Sequence, residues 1–107
     1  MTTFDDRERA HEAKFAHDQD DEFKAAARRN RLLGLWAGEL MGLQAVHLED
    51  YARAVAKSEV LHHEEDDVLR KVFEDLKGAG VQVSEPDVRM KMAELLALAR
   101  VQIKTGV

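Results

Sequence analysis

The sequence predicts an all-α fold, a four-helix bundle with a long N-terminal helix, and three observations carry that expectation. Apolar residues make up 45% of the 107 and charged ones 35%, with 6% aromatic and a single proline. That composition favours charged, alanine- and leucine-rich helices over sheets. Apolar positions recur at i, i+3, i+4, i+7 in four separate stretches. The segments between them are short and carry helix-ending or helix-starting residues, with no internal repeat or low-complexity tract.

The bundle is organised around Phe23 to Leu43, FKAAARRNRLLGLWAGELMGL. Leu33, Trp36, Ala37 and Leu40 share one face, extended by Ala26 and Leu43, so this face is expected to be buried. Gly34 and Gly38 lie one turn apart on another face, where missing side chains let a second helix pack close at a propensity cost of roughly 1 kcal/mol each. Arg28, Arg29, Asn30 and Arg31 interrupt any apolar run long enough to span a membrane.

Residues 1–22 read as a distinct N-terminal arm and residues 23–107 as the bundle domain. In FDDRERAHEAKF, Phe4, His11 and Phe15 fall within about 40° of one another at helical periodicity, a sparse apolar stripe. Thr3 is placed to cap this helix, with Asp5 and Asp6 complementing its dipole. A segment this short and this poor in apolar residues is expected to be marginal or intrinsically disordered when free. Residues 1–22 hold eight acids and three bases, a net of -5, whereas residues 24–31 hold four bases and no acid. Acid before base suits the dipole, so a helix continuing through this junction is compatible with the charges.

A second helix is expected from about Ala45 to Ser58, burying Leu48, Tyr51, Ala52 and Val55, and antiparallel to the first because the turn is short. A third runs from about Glu64 to Lys77, its acidic first turn matching the dipole, with Val68, Leu69, Val72, Phe73 and Leu76 inward. Gly78 and Gly80 supply the left-handed residues that end it. Ser84 and Asp87 form a capping box, with Pro86 tolerated in the first turn of a fourth helix that buries Val88, Met92, Leu95, Leu96, Ala99 and Ile103 to about Ile103.

Several function classes are disfavoured. Sixteen basic against 21 acidic residues leave a formal charge of -5, so nucleic acid is not an expected partner. No cysteine means no disulfide, thiolate nucleophile or Cys-ligated zinc. The start MTTFDDRERA lacks the regions of a secretory signal, so the cytoplasm is the expected address. No serine sits in a triad pattern and no pair of carboxylates converges on a pocket, so no enzyme is expected. His62 to Asp67, HHEEDD, reads as a helix start rather than a metal site, because sequence neighbours do not face one another. Arg28, Arg29 and Arg31, with Lys24, are the candidate contact for a phosphate or nucleotide, although no glycine-rich loop accompanies them.

The stretches FDDRERAHEAKFAHD, ARRNRLLGLWAGELMGL, DVLRKV and DVRMKMAELLALA resemble, over essentially the whole chain, the zeta subunit family, the inhibitor of the alphaproteobacterial F-type ATP synthase. The resemblance implies a regulatory four-helix protein with no activity of its own. Its arm would insert at a catalytic αβ interface of the synthase head and reach the rotor γ subunit, blocking hydrolysis while allowing synthesis. By position the inhibitory stretch is Thr2 to about Gln19, with Phe4, Asp5, Asp6, Arg7, Glu8, Glu12, Lys14 and Phe15 matching the family arm. His11 stands where the family pattern has a second phenylalanine, which makes the stripe more polar and sensitive to protonation near neutrality. The resemblance further implies a chain that is monomeric when free, peripheral to the membrane-bound synthase, and in need of no cofactor. Some members bind adenine nucleotide on the bundle, for which the arginine cluster is the candidate contact. A helical nucleotide- or metal-binding protein and a generic helical adaptor stay open as alternatives.

Overall fold

The computed structural model describes the backbone of residues 3–62 and 65–106 and the side chains of residues 19–58 and 65–106. Four helices follow in order: α1 (Thr3–Leu40), α2 (Ala45–His62), α3 (Glu65–Gly78) and α4 (Glu85–Thr105). All-α architecture is thus observed, with no strand among the described residues. Phe23, where the central stretch begins, lies in the middle of α1, which continues through the change of charge without interruption, as the order of the charges allows. The 22/23 boundary drawn from charge is therefore not a break in the backbone.

At about 1.5 Å per residue, the 38 residues of α1 span about 57 Å. The molecule is 65 Å long but only 25 by 23 Å across. Its radius of gyration of 17.4 Å exceeds the ~13 Å of a compact chain this size, because α1 outreaches the helices beside it.

Helices α1 and α2 pack antiparallel on the glycine face. A Cβ placed on Gly34 would lie 2.7 Å from the Ala52 Cα, and one on Gly38 would lie 2.6 Å from a Leu48 methyl. The expected close approach is therefore present. It also explains a correction: Leu40, expected inside, is 45% exposed. With α2 seated over Gly34, Ala37 and Gly38, the buried face has rotated away from Leu40 by the last turn. Trp36 is partly buried against the core, with the Lys91 ammonium 5.7 Å from its ring centre.

The core is a continuous cluster of Leu33 and Ala37 from α1, Val55 from α2, Val68, Leu69, Val72 and Leu76 from α3, and Val88 and Met92 from α4. Phe73 and Leu95, expected inward, pack at its edge and are partly buried. Gly80, with φ +81°, ends the turn after α3, whereas Gly78 remains the last helical residue. The predicted capping box is present: Asp87 N–H donates to Ser84 Oγ at 3.2 Å and Ser84 N–H donates to Asp87 Oδ2 at 3.0 Å. No described buried side-chain polar atom lacks a hydrogen-bond partner. That matters because an orphaned polar group costs about 1–3 kcal/mol.

Candidate functional site

The end of the bundle where α1 passes α4 is built from charged pairs. Arg100 of α4 grips Glu22 along one edge of its guanidinium, Nε donating to Oε1 at 2.9 Å and Nη2 to Oε2 at 3.0 Å. The hydrogen bond from Arg100 holds the Glu22 carboxyl below its ordinary range and raises Arg100 in return. One turn on, Lys24 pairs with Asp20 at 3.0 Å, and that hydrogen bond raises the lysine. Ala25 and Ala99 are both fully buried, small residues where the two helices meet. Because Arg100 to Lys104 flank Asp21 to Arg28 while Lys91 reaches Trp36, α4 runs antiparallel to α1. The C-terminal end of α4 therefore lies level with about Asp21, and the helical backbone from Thr3 onward continues past it.

The side chains of Phe4, Asp5, Asp6, Arg7, Glu8, His11, Glu12, Lys14 and Phe15 lie outside the described residues; their backbone is the N-terminal part of α1.

The arginines proposed as one cluster are sent three ways. Arg28 reaches α4, its Nη1 3.5 Å from Gln102 Oε1, beside a cleft of about 530 Å³ that Lys24 and Lys104 also line. Arg29 turns inward, 3% exposed, donating to Asn30 Oδ1 at 3.0 Å and pairing with Glu65 of α3 at 3.2 Å. Arg31 binds Glu49 of α2 through two hydrogen bonds, at 3.0 and 3.2 Å, which lower that carboxyl. Residues 28, 29 and 31 project at 100° and 200° steps, so a helix separates them. The role of Arg29 was legible: 25, 29, 33 and 37 form one i, i+4 line whose other members are all buried.

The helix-start reading of HHEEDD fits what is described of it. Glu65, Asp66 and Asp67 occupy the first turn of α3, with Asp66 3.4 Å from Arg89. The side chains of His62, His63 and Glu64 lie outside the described residues. Among the described residues no group of three or more potential metal ligands converges, and no helix is long and apolar enough to cross a membrane.

The model of the family described as ATPase inhibitor subunit zeta matches residues 1–102. The chain belongs to that family. The match takes in the N-terminal part of α1 as well as the bundle and runs into the last turn of α4. Among solved structures, a protein determined by solution NMR superposes with a TM-score of 0.69 at 38% identity, over 80% of this chain and 98% of that one. No curated protein sequence matches significantly. Membership of the zeta family marks the chain as a regulatory rather than a catalytic protein, with an ATP synthase as the assembly it addresses.

Proposed function

We propose that this chain inhibits ATP hydrolysis by an F-type ATP synthase by inserting residues 2–19 at a catalytic αβ interface near the rotor γ subunit. The observation that carries this reading is the continuation of α1 beyond the end of α4, in a family of ATPase inhibitors. The bundle stays outside as the stop, and Phe4 and Phe15 anchor the arm while its alternating charges meet arginines and acids of the α and β subunits. Binding lends the sparse apolar stripe the partner surface it lacks. The protein acts in the cytoplasm, peripheral to the membrane-bound enzyme. No cofactor is needed for this action; of the three arginines, Arg28 borders the cleft that Lys24 and Lys104 also line.

The test is ATP hydrolysis by the isolated synthase head. The double substitution Phe4→Ala and Phe15→Ala weakens inhibition by at least ~10-fold with unchanged thermal unfolding of the inhibitor. Undiminished inhibition by this variant, or by a chain lacking residues 1–19, overturns the assignment of the arm.

A further inference from the structure

Helix α4 carries a second apolar stripe opposite its buried face. Val88, Met92 and Ala99 point into the bundle, whereas Met90, Ala97 and Val101 lie about 180° away, with Met90 71% and Val101 58% exposed. These three positions are separated by seven and then four residues. Phe4, His11 and Phe15 of the arm have the same separations. Two parallel helices can therefore set Phe4 against Met90, His11 against Ala97 and Phe15 against Val101 in a single register.

The flanking charges select that orientation. At helical periodicity Glu8 and Glu12 border one side of the arm stripe and Arg7 and Lys14 the other. On α4, Arg100 and Lys104 border one side and Glu94 the other. Parallel packing brings the arm's acids to the basic side of α4 and its bases to Glu94, whereas antiparallel packing sets like charge against like.

We propose that the outer face of α4 receives residues 3–18 of a second copy of this chain. The chain's own arm is poorly placed to dock there. Helix axes pack 8–10 Å apart, so the arm would lie about 18 Å from α1 on the far side of α4. With Glu22 held on Arg100, nearly all of residues 16–21 would have to leave the helix and straighten, at about 3.3 Å per residue, to span that distance. A second copy needs no break, because its α1 arrives as one continuous helix. Since α1 and α4 are antiparallel, an arm parallel to α4 makes the two α1 helices antiparallel. A two-fold axis then seats each arm on the other's α4. The chain expected to be monomeric thus pairs as its concentration rises. The pairing stands on α4 and the arm alone; its consequence, that paired arms are hidden from the synthase, rests on the function proposed above.

The chain contains no cysteine, so cross-linking reads the register directly. Mixing the His11→Cys chain with the Ala97→Cys chain under a mild oxidant gives a covalent heterodimer, because facing positions bring the Cα atoms within disulfide reach. Sedimentation of the unmodified chain shows a mass rising from one copy to two with concentration, and Val101→Asp increases the dissociation constant at least ~10-fold. A one-chain mass throughout, or a dimer indifferent to Val101→Asp, overturns the proposal. Ring closure within single chains of the double variant His11→Cys, Ala97→Cys at high dilution overturns it in favour of the chain's own arm. None of these measurements involves the synthase, so their failure is distinct from failure of the arm as an inhibitor.

Discussion

Gly34 of α1 faces Ala52 of α2 so closely that a methyl group on the glycine would sit 2.7 Å from the alanine Cα. The neighbour is backbone, so relief requires α2 itself to move. Gly34→Ala is expected to destabilise the bundle by about 1–3 kcal/mol despite the better helix propensity of alanine. At Gly38 the nearest atom is the end of the Leu48 side chain, which can turn aside. Gly38→Ala should therefore be close to neutral. Thermal unfolding of the two variants checks the difference.

Tyr51 of α2 donates a 2.9 Å hydrogen bond to Asp75 of α3, and Lys71 reaches the same carboxylate oxygen at 3.1 Å. Burial, reinforced by the Asp75 charge, pushes the phenol far above its ordinary value of 10.0. The raised group favours folding fully below the unfolded value, and its contribution falls as pH climbs above about 10, where the unfolded chain releases the proton first. Tyr51 is the chain's one tyrosine. Phenolate absorbance should consequently appear with unfolding rather than as a separate step, and Tyr51→Phe should flatten the alkaline loss of stability.

Arg29 and Arg31, two positions apart, should behave differently. Arg29 is 3% exposed, and its removal takes a donor from the buried Asn30 and the partner from Glu65. Arg29→Ala is expected to cost about 1–3 kcal/mol. The Arg31–Glu49 pair has both side chains about half exposed, so Arg31→Ala should change stability by less than about 1 kcal/mol. Urea unfolding distinguishes the two.

The Glu22–Arg100 pair gives the base of the arm an acid limit. Its carboxyl is held below the ordinary 4.5, chiefly by the hydrogen bond from Arg100. The contribution is complete above the unfolded carboxylate range and disappears as pH falls through the lowered folded value. The protection of amides 19–25 relative to their intrinsic exchange rates should therefore fall on acidification below about pH 4, and Glu22→Gln should bring the same loss of protection at neutral pH.

A positive charge on His11 would sit in the apolar stripe of the proposed arm, so its protonation should weaken inhibition. His11→Phe should strengthen inhibition and flatten its dependence between pH 6 and 8. Hydrolysis assays across that range with both chains decide it.

What the residues disclosed by themselves was whatever is decided locally. The Ser84–Asp87 capping box lies within four residues, and the inward faces of α3 and α4 follow from their spacing. The glycine pair of α1 also announced a close neighbour, because only contact accounts for two costly residues one turn apart. The direction from which each neighbour arrives is not local. Leu40 completes an apolar pattern yet faces outward because α2 lies over the glycines. The three arginines looked like one cluster because adjacency in sequence conceals 100° of rotation per residue. At the candidate site, the reversal of charge along α1 was legible, while the Glu22–Arg100 grip joins residues 78 apart and needed the fold to reveal it.

The absence of any break in α1 where the charge reverses has a mechanical meaning. A rod of unbroken hydrogen bonds carries a push along its length, so torque applied near Phe4 would be felt some 25–30 Å away, where Arg100 braces the shaft. Stiffness of that kind would suit a 12.1 kDa chain to the proposed insertion, as a wedge with the bundle for its handle.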